Sequence, residues 1–299
     1  VSDRPDPAEF GLTPSLVDSP AGQAMVWHRP SPRPDDERPP LVLLHGAAGS
    51  WSTWSALLRA ADSAQIDLGA VLALDAPGWG SSTAVLRRET SIDDIADAVQ
   101  NAVRSLGFSS ARLVGHSMGG LLALHLAART DSIAASVLAL SPSSSGVIAA
   151  VDHPVRSLAG GLRELVLLRA GLRVLAPIDR GARSAVRGLQ RFGAIRLLAA
   201  PLFRHPLRAP RWVMDATAED LRPRSFTLAA DALRGYRIER WKRISCPVAV
   251  AVGDRDVFVA PEDLGGLEAV VPQLTATVLT DCGHFPQVER ADAVLRLLS

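Results

Sequence analysis

The chain has 299 residues, of which 47% are apolar and 21% charged. That composition excludes a disordered chain and is enough for a large core, in one domain with an insertion or in two domains. A net charge of +1 argues against a general nucleic-acid binder, and no apolar run approaches the ~18 residues needed to span a bilayer.

Val1 to Phe10 carries Asp3, Asp6 and Glu9 and no apolar stretch, so it lacks the form of a secretory signal. Two cysteines, Cys246 and Cys282, fit a reduced compartment, and the expected location is cytoplasmic. Pro5, Pro7 and Pro14 mark an N-terminal arm. Leu16 to Asp18 and Gln23 to His28 flank Pro20-Ala21-Gly22 and predict a strand pair around a turn. Ser31 to Pro40, rich in proline and charge, predicts a surface loop.

Six short apolar runs follow: Leu41 to Leu44, Val71 to Leu74, Arg112 to Val114, Ile133 to Leu140, Pro247 to Val252 and Leu274 to Leu279. Each ends at polar residues or glycine, as expected of strands buried on both faces of a parallel sheet. Ser91, with Asp94 three residues on, opens a helical spacing of Ile92, Ile95, Ala96, Val99, Ala102 and Val103. Helices are also predicted over Leu121 to Ala128, from Pro261, and over Arg290 to Leu298. Alternating strands and helices predict a doubly wound, mostly parallel α/β sheet.

Val151 to Arg243 breaks this rhythm: it lacks clear strands and predicts a mostly helical insertion between the sixth and seventh strands. The expected organisation is a core of residues 1–150 and 244–299 with a cap of residues 151–243. The insertion holds 19 basic residues against 8 acidic ones, so the rest of the chain carries ten net negative charges. Arg180, Arg183, Arg187 and Arg191 would form one helical stripe, opposite Ala182, Val186, Leu189 and Phe192. The stripe has two readings: a solvated surface paired with acids of the core, or a lid drawing in an anionic or amphiphilic substrate, an acidic carrier or an anionic membrane.

The strongest local motif is Gly115-His116-Ser117-Met118-Gly119-Gly120, a Gly-x-Ser-x-Gly placed after an apolar run and before an apolar helix. A strand entering a helix through so sharp a turn needs small neighbours, and the turn lifts the serine hydroxyl clear of the sheet. Of the other histidines, His28, His153 and His205 have no matching context, and His125 lies within the apolar helix as a packing residue. His116 is expected to shape the turn. No histidine spacing suggests a metal site.

Four blocks in order make the chain resemble the α/β-hydrolase superfamily, over roughly Leu41 to Ser145 and Cys246 to Ser299. They are His45-Gly46-Ala47-Ala48-Gly49, Asp75-Ala76-Pro77-Gly78-Trp79-Gly80-Ser81, the Ser117 turn, and Gly253-Asp254-Arg255-Asp256 with the later Gly283-His284-Phe285-Pro286. The resemblance implies a triad in the order Ser117, Asp256, His284, with Asp254 as the alternative acid at the turn after the seventh strand. It implies an oxyanion hole from the N–H groups of Met118 and Ala47, with Ala48 as the alternative second donor and His45 bracing the loop.

A serine at the turn departs from the haloalkane dehalogenases and epoxide hydrolases of this fold, which use aspartate there. Enzymes of the family that cleave carbon–carbon bonds often carry Asn before the nucleophile and Trp after the histidine, where this chain has His116 and Phe285. The expected activity is cleavage of a carboxylic ester or thioester of a small or amphiphilic acyl substrate through an acyl-enzyme, with no cofactor. The alternatives are another chemistry on the same fold (acyl transfer, perhydrolysis, lyase or carbon–carbon hydrolysis) or a small-molecule receptor. If the seventh and eighth strands are parallel neighbours, Cys246 and Cys282 fall at opposite edges, about 15–20 Å apart at ~3.3 Å per residue, and no disulfide is expected.

Overall fold

A computed structural model describes residues 5–20, 22–159, 162–191, 193 and 195–298, with the backbone alone at positions 159, 191, 198 and 262. Phe192, one of the residues expected opposite the arginine stripe, lies outside the described residues. The predicted apolar runs become strands of one eight-stranded sheet. In chain order the strands are β1 (Thr13–Ser19), β2 (Gly22–Arg29), β3 (Leu41–Leu44), β4 (Val71–Asp75), β5 (Ala111–His116), β6 (Ala134–Leu140), β7 (Val248–Gly253) and β8 (Leu274–Leu279). Their spatial order is β1-β2-β4-β3-β5-β6-β7-β8. The first two strands run antiparallel at one edge, and β4 through β8 are parallel.

Successive side chains of a strand point to opposite faces, and both faces here are covered. Val42, Leu44, Leu72 and Leu74 join the core on one side. Helices α2 (Ile92–Ser105) and α3 (Met118–Ala127) supply much of that core. Leu41, Leu43, Val71 and Ala73 join the other side. There α1 (Ser55–Ser63) packs with the C-terminal helix over Ala291–Arg296. The predicted start of α2 is a full capping box. Ser91 Oγ accepts from Asp94 N at 3.2 Å, and Asp94 accepts from Ser91 N at 2.8 Å.

Between β6 and β7 the chain is helical: α4 (Ser145–Asp152), α5 (Pro154–Ala159), α6 (Arg163–Leu175), α7 (Asp179–Arg191), α8 (Ile195–Ala199), α9 (Arg211–Asp220) and α10 (Pro223–Ala232). A 3-10 segment over Ile238–Arg243 leads back to the sheet. This cap holds its own apolar cluster around Ile195, Phe203, Val213 and Met214, which reaches Phe285 beside the last strand. The stretch carrying the arginine stripe is helical, as α7. On its apolar side Ala182 and Val186 are buried and Leu189 is 44% exposed, while Arg183 of the stripe is half-buried. The helix packs on α9 and α10. Cys246 and Cys282 are both free thiols. Among the described residues no helix is long and apolar enough to cross a membrane.

Candidate active site

The sheet order changes direction at β3, which lies between β4 and β5. Ligands of open α/β sheets bind beyond the carboxyl ends of the strands at such a switch point. Register places Leu44 of β3 beside Gly115 of β5, so the loop that follows Leu44 adjoins the turn at Ser117.

Ser117 joins β5 to α3 with φ 53° and ψ −115°, a conformation that strains a residue with a side chain by about 1–3 kcal/mol. Its backbone is held on several sides. The N–H donates to Leu140 O at 2.9 Å, and the carbonyl accepts from Gly120 N at 3.0 Å and Ser143 N at 3.0 Å. The flanking glycines are required by space. A Cβ on Gly115 would collide with the Gly119 carbonyl, and a Cβ on Gly119 with the carbonyls of Leu44 and His45. The Gly-x-Ser-x-Gly pattern is therefore a packing requirement of the turn.

Ser117 Oγ lies 3.1 Å from His284 Nε2. His284 Nδ1 lies 3.0 Å from each carboxylate oxygen of Asp256. Asp256 also accepts from Phe258 N at 2.8 Å and Val259 N at 3.2 Å. Burial raises the Asp256 carboxyl, but the His284 charge and these hydrogen bonds outweigh it and hold the pKa below the ordinary 3.8. The acceptor at Nδ1 keeps the proton there and leaves Nε2 free to accept from Ser117. The alternative acid, Asp254, points elsewhere: it accepts from Cys282 N at 3.1 Å and ties the turn after β7 to the end of β8.

The histidine loop is braced from elsewhere in the chain. His116 Nε2 donates to the His284 carbonyl at 2.7 Å, and His284 N donates to Leu202 O of the cap at 2.9 Å. Burial and the nearby His284 charge push the His116 pKa down to about 3, so its imidazole is neutral. Glu289 accepts from Gly283 N at 2.8 Å and His205 N at 3.2 Å. The sequence reading did not single out Glu289, a half-buried acid six residues after Gly283 that carries no motif.

His45 does brace the loop after β3. Its Nδ1 donates to Gly46 O at 2.7 Å and its Nε2 accepts from Ala76 N at 2.9 Å, and its burial favours the neutral ring. A Cβ on Gly46 would sit 3.0 Å from Ser117 Cβ, so the loop lies against the serine. Ala47, Ala48 and Met118 all border the cavity beside Ser117. Met118 opens α3, and the first N–H groups of a helix have no intrahelical partner.

The second motif block does not reach the reacting groups. Asp75 accepts from Trp51 N and Ser81 N, each at 2.8 Å, and from Trp27 Nε1 at 3.1 Å. The turn it closes is where the cap docks. Arg222 donates to Gly78 O at 3.1 Å and Gly80 O at 2.6 Å, and Ser225 donates to Gly78 O at 2.9 Å.

Ser117 and His284 form the polar end of a cavity of about 330 Å³ beneath the cap. The remaining wall is overwhelmingly apolar, with Val147, Leu165, Val166, Leu172, Leu233 and Phe258 among its residues. Arg169 is the one charged residue among the described residues of the wall. Its guanidinium is held by Asp231 at 3.0 Å and Val151 O at 3.2 Å. Among the described residues no group of three or more His, Cys, Asp or Glu could hold a metal ion.

Comparison with known proteins agrees with this architecture. The chain is 28% identical over 265 residues to a 2-hydroxy-6-oxo-6-phenylhexa-2,4-dienoate hydrolase of Burkholderia cepacia, covering 86% of this chain and 85% of the relative. Its fold is similar to that of an esterase from Exiguobacterium antarcticum, with a TM-score of 0.71 at 15% identity over 96% of this chain and 98% of the other. An enol-lactonase from Burkholderia xenovorans LB400 gives a TM-score of 0.66 at 18% identity over 95% of this chain and 98% of the other. The sequence profile of the alpha/beta hydrolase family matches residues 41–297, and with that span of match the chain belongs to this family.

Proposed function

We propose that the protein is a serine hydrolase that cleaves a carboxylic ester or thioester bearing an apolar acyl group. The observation that carries this reading is the hydrogen-bonded chain Ser117–His284–Asp256 at the polar end of an apolar cavity. His284 Nε2 takes the proton of Ser117 as Oγ bonds to the substrate carbonyl carbon. The N–H of Met118 and that of Ala47 receive the developing oxyanion. Collapse breaks the bond to the alcohol or thiol, which leaves with the proton from His284. A water molecule then gives its proton to Nε2 and attacks the acyl carbon. Release of the acid returns the proton to Ser117. Asp256 stays ionised throughout and holds the imidazole in the required tautomer.

Carbon–carbon hydrolysis of a dienoate, the activity in the name of the Burkholderia cepacia relative, is less well supported. A dienoate carboxylate needs a charged or polar seat, and Arg169 already has Asp231 and a backbone carbonyl as partners. The test is a panel of p-nitrophenyl esters of graded acyl length beside a dienoate substrate, run with the wild type and Ser117→Ala. Ester turnover that disappears in Ser117→Ala supports the reading. Turnover of the dienoate alone, or ester turnover unchanged by the substitution, overturns it.

A further inference from the structure

The cap presents an apolar face outward as well as inward. On α6, Leu165, Val166 and Leu172 are buried against the cavity. Leu167 and Val174 are 63% and 77% exposed, and Ile178, just past the helix, is 61% exposed. With Ala170 between them, these residues recur every three or four positions and form one stripe. A helix apolar on two faces normally has both covered. The neighbouring α5 packs on α6 and adds Val155, 79% exposed. Leu167 also lines the cavity, so the stripe runs past the cavity's edge.

The charge around this stripe is one-sided. From Pro154 to Arg191 the chain has eight arginines against Glu164 and Asp179 alone. Arg156, Arg163, Arg173, Arg180 and Arg187 are exposed. Outside the insertion the chain is net negative, so a negatively charged surface would attract the cap and repel the opposite side. Two copies meeting cap to cap would bring like charges together. Apolar side chains surrounded by arginine are the composition of a helix that lies in the interface of an anionic bilayer.

We infer that the outer face of α5 to α7 docks on an anionic lipid surface, with Val155, Leu167, Val174 and Ile178 entering the headgroup boundary and the exposed arginines meeting the lipid phosphates. The edge of the acyl cavity then faces the bilayer, and an amphiphilic substrate passes into it without crossing water. This docking holds whichever bond the site cleaves.

The experiment is co-sedimentation of the full chain with vesicles of phosphatidylcholine alone and of phosphatidylcholine with phosphatidylglycerol in equal parts. Partition onto the anionic vesicles is expected to exceed that onto the neutral ones by at least about tenfold and to fall as salt is raised. Val174→Ser with Ile178→Ser, and separately Arg180→Glu with Arg187→Glu, should each reduce the bound fraction by about tenfold or more. Both variants should keep the wild-type melting temperature and the turnover of a short soluble ester. Equal partition onto both vesicles, no partition onto either, or unchanged binding by both variants overturns the proposal. So does a concentration-dependent dimer in light scattering that Val174→Ser with Ile178→Ser abolishes while vesicle binding is absent, since a second copy then covers the stripe.

Discussion

The His116 imidazole donates from Nε2 to the carbonyl oxygen of His284 at 2.7 Å, across 168 positions of sequence. The residue before the candidate nucleophile thus holds the backbone of the candidate base. Its ring also packs on those of His284 and Phe285, with centroids 4.9 and 4.6 Å away. His116→Leu leaves the carbonyl without this donor. The expected result is a fall in kcat of roughly ten- to a hundredfold, larger than any change in KM, because the base loses orientation while His116 is one of many residues along the cavity wall. A variant with wild-type kcat would show that the loop is held without it.

The same residue gives stability a pH dependence. Above the ordinary histidine value of 6.5, the folded and unfolded chains both hold it neutral, and the full stability is present. Below that value the unfolded chain takes up a proton while the folded chain, with its pKa near 3, does not, so stability falls as pH falls through this window. One such group contributes a slope of up to about 1.4 kcal/mol per pH unit. Urea titrations of His116→Leu between neutral and weakly acid pH should show a slope reduced by that much. Buried His45 and His125, whose pKa values burial also lowers, keep part of the slope in place. An unchanged slope would place the titration elsewhere.

The two acids of the turn after β7 should separate by readout. Asp256→Asn removes the charge facing His284 Nδ1 and is expected to reduce kcat by roughly ten-thousandfold. Asp254→Asn weakens the tie to Cys282 N and should lower the melting temperature with a much smaller effect on rate. Steady-state kinetics and thermal melts on the two variants decide the matter. The reverse ranking would make Asp254 the orienting acid.

The sheet was legible because buried parallel strands leave short continuous apolar runs, as at Leu41 to Leu44 and Val71 to Leu74. The approach of Ser117 to His284 was legible from motif order, since each follows a strand whose end lies at one edge of the sheet. The cap was legible only as helical. Its helices face a cavity on one side and, at α6, carry apolar residues on the other, so periodicity alone does not reveal which face is buried. At α7 the spacing places Ala182, Val186 and Leu189 on one side, but how far each is buried is set by the packing on α9 and α10, elements remote in sequence. The contact of His116 with His284, and that of Glu289 with His205, join residues far apart and leave no local pattern.

Tyr236 ties the chain at the end of the cap to α3. Its hydroxyl accepts from Trp241 Nε1 at 3.0 Å and lies 3.0 Å from His125 Nδ1, whose Nε2 lies 2.9 Å from Asp93. Burial pushes the Tyr236 pKa up to about 12, so the hydroxyl keeps its proton and can donate to His125. Tyr236→Phe leaves the Trp241 N–H and the His125 nitrogen without this partner in a buried setting. The expected loss is about 1–3 kcal/mol, seen as a lower urea midpoint, with kcat near wild type. A midpoint unchanged from wild type would show that water replaces the hydroxyl without penalty.

The apolar wall under α6 should set the preferred acyl length. Leu172 is 4% exposed, borders the cavity and belongs to the buried face of α6, whose other face carries the exposed stripe. Leu172→Trp places a larger side chain into space that an acyl chain would otherwise fill. Each methylene excluded from such a pocket is worth about 1–3 kcal/mol of discrimination. The expected result is a fall in kcat/KM of about tenfold or more for a long-chain p-nitrophenyl ester, with the acetyl ester near wild type. Leu172→Ala enlarges the same space and should shift the optimum to a longer chain. The melting temperature of each variant separates pocket shape from overpacking, which costs about 1–3 kcal/mol where a core cannot relax. A fall of equal size for every acyl length, with the fold intact, would show that the acyl group does not lie along this wall.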